Sequence, residues 1–157
     1  MKKFLFILNL LLLILWMGVI FNYSSDNGKT SSSKSERFII KTVEFFKKDK
    51  LTVEEKIDIL NRYSKPIRKL AHMTCYFILG ILAFLLLQQL YGLEPKTIIY
   101  TIIFCIIYAI TDEIHQLFVP DRSGEILDVI IDTTGAILSL IIPIIVLIKR
   151  KELLKKE

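Results

Sequence analysis

Residues 112–132 hold six acids, a histidine and an arginine: Asp112, Glu113, Asp121, Glu125, Asp128, Asp132, His115 and Arg122. Closely spaced carboxylates perturb one another's ionisation, which prepares them for general acid–base chemistry or proton relay. An arginine among them can grip a phosphate or carboxylate through two parallel hydrogen bonds. The cluster lies where two apolar runs meet, Ile98–Ile110 upstream and Val129–Ile148 downstream, both read as crossing a membrane. An ionisable group inside a span costs about 2.5–3.5 kcal/mol on insertion scales, so it is rarely there without a partner or a function.

The elements that must position these residues follow from the composition. The chain has 157 residues, 53% of them hydrophobic, and a mean hydropathy of +0.52, high for a soluble protein. A spanning helix needs about 20 mostly apolar residues. Four stretches qualify, 4–22, 67–90, 98–118 and 126–148, and they leave no room for a large soluble core. Lipid tolerates only helices or closed barrels, and these runs lack the alternation of barrel strands. The expected fold is all-α: a polytopic membrane protein of four transmembrane helices, one membrane domain over 1–157, with a partly helical extracytoplasmic loop at 23–66.

Lys2 and Lys3 give the first run a basic start, as in a signal peptide, but the run exceeds the usual length of about 7–15 residues. The following Asn22-Tyr23-Ser24-Ser25-Asp26 lacks a small-x-small cleavage pattern, so a retained helix is expected. The net charge of +5 comes from flanks and loops. Lys149-Arg150-Lys151 and Lys155-Lys156 read as a cytoplasmic anchor, which with four spans puts both termini in the cytoplasm of a cell membrane. Residues 23–69 hold 12 Lys and Arg against 7 Asp and Glu, an outside excess that the positive-inside rule disfavours. The opposite orientation keeps the same helices and moves the polar site to the cytoplasm. Basic flanks of this kind meet anionic lipid headgroups, and no nucleic-acid partner is expected. Cys75 and Cys105 read as small packing residues.

In the long loop, Lys29–Ser35 reads as a linker, and Phe38, Thr42, Phe45 and Phe46 recur at helical spacing. Thr52-Val53-Glu54-Glu55 fits a capping box that starts a second short helix carrying Ile57 and Leu60. Ser64 and Pro66 then mark the start of the second span. The apolar faces of these helices are expected on the membrane surface or on the bundle. Tyr91-Gly92-Leu93-Glu94-Pro95 reads as a tight turn.

Helical spacing sorts the spans into facing stripes. Lys69, His72, Tyr76, Gly80 and Ala83 share one face of the second. Thr101, Cys105, Tyr108, Asp112 and His115 or Gln116 share a face of the third, and Asp128, Asp132, Gly135 and Ser139 a face of the fourth. Each stripe is polar at the loop end and small further in, as close helix packing with interhelical hydrogen bonds requires. The three polar ends, joined by Ser24, Ser25 and Asp26, lie at the same membrane side in either orientation.

The functional reading is a pocket just below the outer interface. Asp112, His115, Asp128 and Asp132 are its candidate catalytic groups, and Lys69, His72, Tyr76, Gln116 and Arg122 its candidate binding groups. The competing reading is structural: Asp128 and Asp132 favour a helix N-terminus, His115 and Gln116 suit an interface, and Arg122 can pair with Asp128 to fix the loop. Glu113 is rotated about 100° from Asp112 and is the weakest member. No metal is expected, because His72 and His115 stand 43 positions apart and no paired-histidine helix motif is present. No Gly-rich phosphate loop, nucleophile elbow or Cys-x-x-Cys pair appears, so no cofactor is expected.

These residues resemble a known family. Arg68-Lys69-Leu70-Ala71-His72 with Tyr76 and Leu79-Gly80 are similar to the second-helix motif of VanZ-like proteins. The stretch Asp112-Glu113-Ile114-His115-Gln116-Leu117-Phe118-Val119-Pro120, followed by Arg122-Ser123-Gly124, Asp128, Asp132 and Gly135, resembles that family's longest motif. Ser24-Ser25 resembles its N-terminal serine motif. Two positions depart from the pattern: Asp121 stands where glycine is common, and Ser139 replaces a later small glycine. The resemblance implies a four-helix integral membrane protein linked to low-level teicoplanin resistance. The partner then expected is a membrane lipid or lipid-linked cell-wall precursor, its anionic headgroup met by Lys69 and Arg122. Rival readings are an acid–base enzyme on a lipid-linked substrate, with Asp112 or His115 as base, and a proton-coupled transporter that would need to form a homo-oligomer.

Overall fold

A computed structural model describes residues 2–154. They form six helices with no strand among them: α1 (Lys2–Ser24), α2 (Gly28–Lys47), α3 (Val53–Tyr91), α4 (Pro95–Gln116), α5 (Ile126–Ser139) and α6 (Ile141–Leu154). Helices α1, α3 and α4 are each long and apolar enough to cross a membrane, and α5 with α6 makes a fourth span bent by 41°. The protein is an all-α polytopic membrane protein. The ends of α1 and α4 and the start of α5 meet at one face, which carries the acids of 112–132.

The tightest helix pair is α3 with α5, and two glycines make it so. A Cβ on Gly135 would run into the Met73 carbonyl, and one on Gly80 into the Ser139 hydroxyl and the Ala136 backbone. Small residues of this kind let spans approach closely where lipid gives no hydrophobic drive. The core between the spans holds Tyr76, Leu79 and Ala83 of α3, Cys105 and Ala109 of α4, Ala136 of α5, and Leu13 and Ile20 of α1. Phe84, Ile98, Leu140 and Leu147 form a second cluster. Helix α1 presents most of its leucines and isoleucines outward. It is fastened by two polar contacts to backbone: Trp16 Nε1 donates to the Cys75 carbonyl (2.9 Å), and Tyr108 Oη donates to the Met17 carbonyl (2.7 Å).

Three expectations about boundaries are corrected. The Lys29–Ser35 linker is helical. Asn27 caps α2 by accepting from the Thr30 N–H, and the Ser33 and Ser35 hydroxyls bond back to carbonyls of the preceding turn instead of breaking it. Residues 53–66 and the second span are one continuous 39-residue helix through Pro66. That proline leaves only the Arg62 carbonyl without its helical donor, while packing against α2 holds the upstream segment in line. The Thr52 capping box is present as expected, with the Thr52 hydroxyl on the Glu55 N–H and the Glu55 carboxylate on the Thr52 N–H. The last span is broken because Pro143 cannot bond the Ser139 carbonyl and its ring crowds it; Leu140 turns back tightly to the Ile137 carbonyl (3.0 Å).

A 39-residue helix is about 58 Å long, nearly twice the hydrocarbon thickness of about 30 Å. The first part of α3 therefore lies outside the spans, where it forms a hairpin with α2. Ile39 of α2 is buried. The ion pairs Lys47–Glu55 (2.6 Å) and Lys56–Glu44 (3.2 Å) tie the hairpin near its tip. Glu55 is held below the ordinary glutamate range by the Lys47 ammonium and then the Thr52 N–H. Glu44 is lowered by the Leu51 N–H first and Lys56 second.

Candidate functional site

The site is assembled from five segments at one face of the bundle. Helix α4 runs out after Gln116, two residues earlier than expected, because Leu117, Phe118 and Val119 bond to carbonyls three residues back and tighten the chain into a turn. That turn leads to Asp121, which adopts a left-handed conformation with φ 59°. Aspartate tolerates this region better than most residues, so the backbone keeps the bend that glycine would favour. The bend brings the Asp121 carbonyl against Gly28, where no Cβ would fit. The Gly28 N–H donates to the Pro120 carbonyl at 3.2 Å.

Arg122 is thereby aimed back over the end of α1. Its Nε donates to the Asp26 carbonyl (3.0 Å), Nη2 to the Tyr23 carbonyl (3.1 Å) and Nη1 to Gln116 Oε1 (2.8 Å). Gln116 passes the chain inward, donating through Nε2 to Asp112 Oδ2 at 3.2 Å. The guanidinium adds a donor to the Tyr23 carbonyl near the end of α1 and to the Asp26 carbonyl just beyond it. Burial pulls its pKa below the ordinary arginine value, and like-charged Arg68 adds to this. Arg122 thus meets Gln116 and backbone, in place of the ion pair with Asp128.

Asp128 pairs instead with Lys69. Lys69 Nζ stands 3.1 Å from Asp128 Oδ1 and 3.7 Å from Glu125 Oε2, joining the second wall to the start of α5. Deeper on the same walls, His72 Nδ1 lies 4.0 Å from Asp132 Oδ1, beyond hydrogen-bond reach. Tyr76 is fully buried one turn further in, its ring 6.2 Å from that of Tyr108. Asp112 and Asp132 are 4% and 1% exposed. The Tyr76 hydroxyl, Asp112 Oδ1, Asp132 Oδ1 and the Ser24 hydroxyl have no hydrogen-bond partner; Ser24 neighbours Asp112 without a well-formed bond.

His115 stands at the edge. Its ring stacks on Phe21 with centroids 4.4 Å apart, and its Nε2 lies 3.0 Å from Ser25 Oγ. Glu113 is buried and accepts from the Glu125 N–H at the start of α5, which is a structural task. Seven of the nine residues singled out in the sequence, Lys69, His72, Tyr76, Asp112, Gln116, Asp128 and Asp132, with Arg122 over them, line one continuous polar seam, and His115 flanks it. Sequence reasoning missed Glu125 as the second acid on Lys69, Phe21 as the support of His115, and the Tyr23 and Asp26 carbonyls as the seat of Arg122. Backbone acceptors leave no trace in residue type. Among the described residues, no group of three or more His, Cys, Asp and Glu side chains is arranged to hold a metal ion.

Apolar spans closing over a seam of buried acids at one face define a polytopic membrane protein with a polar site set into its bundle. The model of the VanZ/LLP1 family matches residues 8–147. The chain belongs to that family. No curated protein and no solved structure matches it.

Proposed function

We propose that this VanZ-family protein lies in the bacterial cell membrane as one domain with both termini cytoplasmic. In this reading it engages the polar headgroup of a membrane lipid or lipid-linked cell-wall precursor at its outer face. Altered access to such precursors would be its route to teicoplanin tolerance. The observation that carries the reading is the relay Arg122–Gln116–Asp112, which runs from the interfacial loop to a carboxylate that is 4% exposed. A purely structural loop clamp would not need to end on a buried acid with one oxygen unpartnered. Lys69 and Arg122 would meet the anionic part of the headgroup at the rim. Asp112, Asp128 and Asp132 form the acidic centre, with His115 at its edge and His72, Tyr76 and Gln116 lining it.

The test is a lipid and precursor inventory of cells with and without the protein, beside cells carrying Asp112→Ala or Arg122→Ala, with teicoplanin susceptibility measured on the same strains. The reading expects a change in one headgroup or precursor class that both variants abolish at unchanged expression. Identical inventories and susceptibilities in all four strains would overturn it. Labelling of a cysteine at position 121 from the cytoplasmic side alone would overturn the orientation. A second reading, an acid–base enzyme on a lipid-linked substrate, draws on the His72–Asp132 approach of 4.0 Å; it expects the inventory to show a converted product rather than a redistributed one. The transporter reading would require a homo-oligomer around this seam.

A further inference from the structure

We infer that the group received by the inner end of the seam is a primary ammonium. This rests on the headgroup reading above and names the chemistry of its ligand. The argument is a count of donors, acceptors and charges. Asp112 and Asp132 put two carboxylates in the buried centre, each with an oxygen unpartnered, and Glu113, bonded to the Glu125 N–H through one oxygen, leaves its other unpartnered nearby. Burying a charged carboxylate without a partner is costly, so each acid either takes up a proton or meets a donor or an opposing charge. The two basic groups at the rim do not reach these acids: Lys69 stands beside Asp128 and Glu125, and Arg122 bonds Gln116 and two backbone carbonyls. His72 stands 4.0 Å from Asp132 and donates to neither acid.

The centre therefore holds acids to which no cation is hydrogen-bonded; its donors are hydroxyls, which carry no charge. Beside the carboxylates lies the Tyr76 hydroxyl, itself fully buried and unpartnered, with the Ser24 hydroxyl next to Asp112. A primary ammonium brings one positive charge and three N–H donors that can point in different directions, which fits two carboxylate oxygens and a phenol oxygen. A phosphate fits the rim and not the centre, where it would face two acids. A quaternary ammonium supplies the charge with no donor, and an amide supplies one donor with no charge.

Distance agrees with a short amine. Asp132 is six positions into α5 from Ile126, and Asp112 four positions before the end of α4, so both lie about 6–9 Å below the rim at 1.5 Å per residue. An amine carried on a short linker from a phosphate at Lys69 and Arg122 spans that depth. The same ammonium chemistry could come from a lipid headgroup or from a free amine, and the experiment separates them.

The full-length protein, purified in a neutral detergent, is titrated with phosphatidylethanolamine, phosphatidylcholine and N-acetylated phosphatidylethanolamine of the same acyl chains. Bound lipid is read by native mass spectrometry. The ethanolamine lipid is expected to bind at least about tenfold tighter than either analogue, the step that one lost charged hydrogen bond brings. Asp132→Asn and Asp112→Asn should bring the three lipids to within about twofold of one another. Tyr76→Phe, which removes only the hydroxyl, should weaken the ethanolamine lipid alone; this variant decides the matter if the asparagine variants fail to fold. Free ethanolamine that competes with the lipid identifies the amine as sufficient, and ethanolamine that does not compete assigns the ammonium to a lipid; either supports the inference when the tenfold preference is present. Equal binding of the three lipids overturns the inference and leaves the headgroup reading standing. Absence of binding by all three lipids and by ethanolamine overturns the inference, while the lipid and precursor inventory of cells decides the headgroup reading separately.

Discussion

The carbonyl oxygen of Asp121 occupies the space that a side chain on Gly28 would need, so the interfacial loop and the start of α2 meet backbone to backbone. Gly28→Ala should cost about 1–3 kcal/mol, the usual penalty for forcing an extra methyl into a packed contact. Asp121→Gly should stay within about 1 kcal/mol of the parent, since glycine takes the left-handed conformation freely. Asp121→Val should lose more, because a β-branched residue resists positive φ. Thermal unfolding in detergent of the three variants checks the order. A Gly28→Ala protein as stable as the parent would contradict the contact.

Glycine positions elsewhere give an internal control. Gly135→Ala would drive a methyl into the Met73 backbone, whereas Gly18→Ala meets nothing within 4 Å. The first should destabilise by about 1–3 kcal/mol. The second should be neutral or slightly stabilising through helix propensity. Chemical denaturation of the two variants side by side reads the difference.

The Lys69–Asp128 pair is partly open to water, with side chains 34% and 23% exposed. Screening limits such a pair, so a double-mutant cycle with Lys69→Met and Asp128→Asn should return a small favourable coupling. Raising the salt concentration should shrink it. A coupling of zero at low salt would remove the pair from the architecture of the seam.

The hairpin tip should loosen in acid. Glu44 and Glu55 are both lowered in the folded state from an ordinary value of 4.5. A lowered folded value means the unfolded chain binds the proton more readily, so these pairs stabilise the hairpin above about pH 4.5 and that contribution fades as pH falls through the folded values. Spin labels at positions 45 and 57, both exposed, should give a narrow distance distribution at about pH 6 and a broad one at about pH 3. The double variant Glu44→Gln, Glu55→Gln should lose the difference between the two.

The bend between α5 and α6 should follow the proline. Pro143→Ala restores a donor for the Ser139 carbonyl. Labels at positions 130 and 148 should then move apart by about 2 Å as the 41° angle relaxes. An unchanged distance would assign the bend to packing around Leu140, which is fully buried.

Much of this was legible in the chain because lipid removes alternatives. Apolar runs of spanning length must be helices, and helical spacing alone placed Lys69, His72 and Tyr76 opposite Asp112, Asp128 and Asp132. What the residues did not disclose lay at their ends. Ser33 and Ser35 suggest a linker by type, yet their hydroxyls bond within the helix. Pro66 suggests a boundary, yet the helix runs through it, with α2 packed against α3. Arg122 finds backbone carbonyls of α1, a choice set by the Asp121 turn and invisible in side-chain chemistry. The rotation of Glu113 away from Asp112 was foreseen, but its bond to the Glu125 N–H depended on where α5 begins.

The unbroken course of α3 joins what lies outside the spans to what lies within them. His72 and Tyr76 sit on the same rigid rod as the hairpin tip at Val53, about 30 Å away along the axis. Pro66 lies between them without interrupting the helix. His72 of that helix stands 4.0 Å from Asp132, so the exposed tip and the buried seam share one element of the chain.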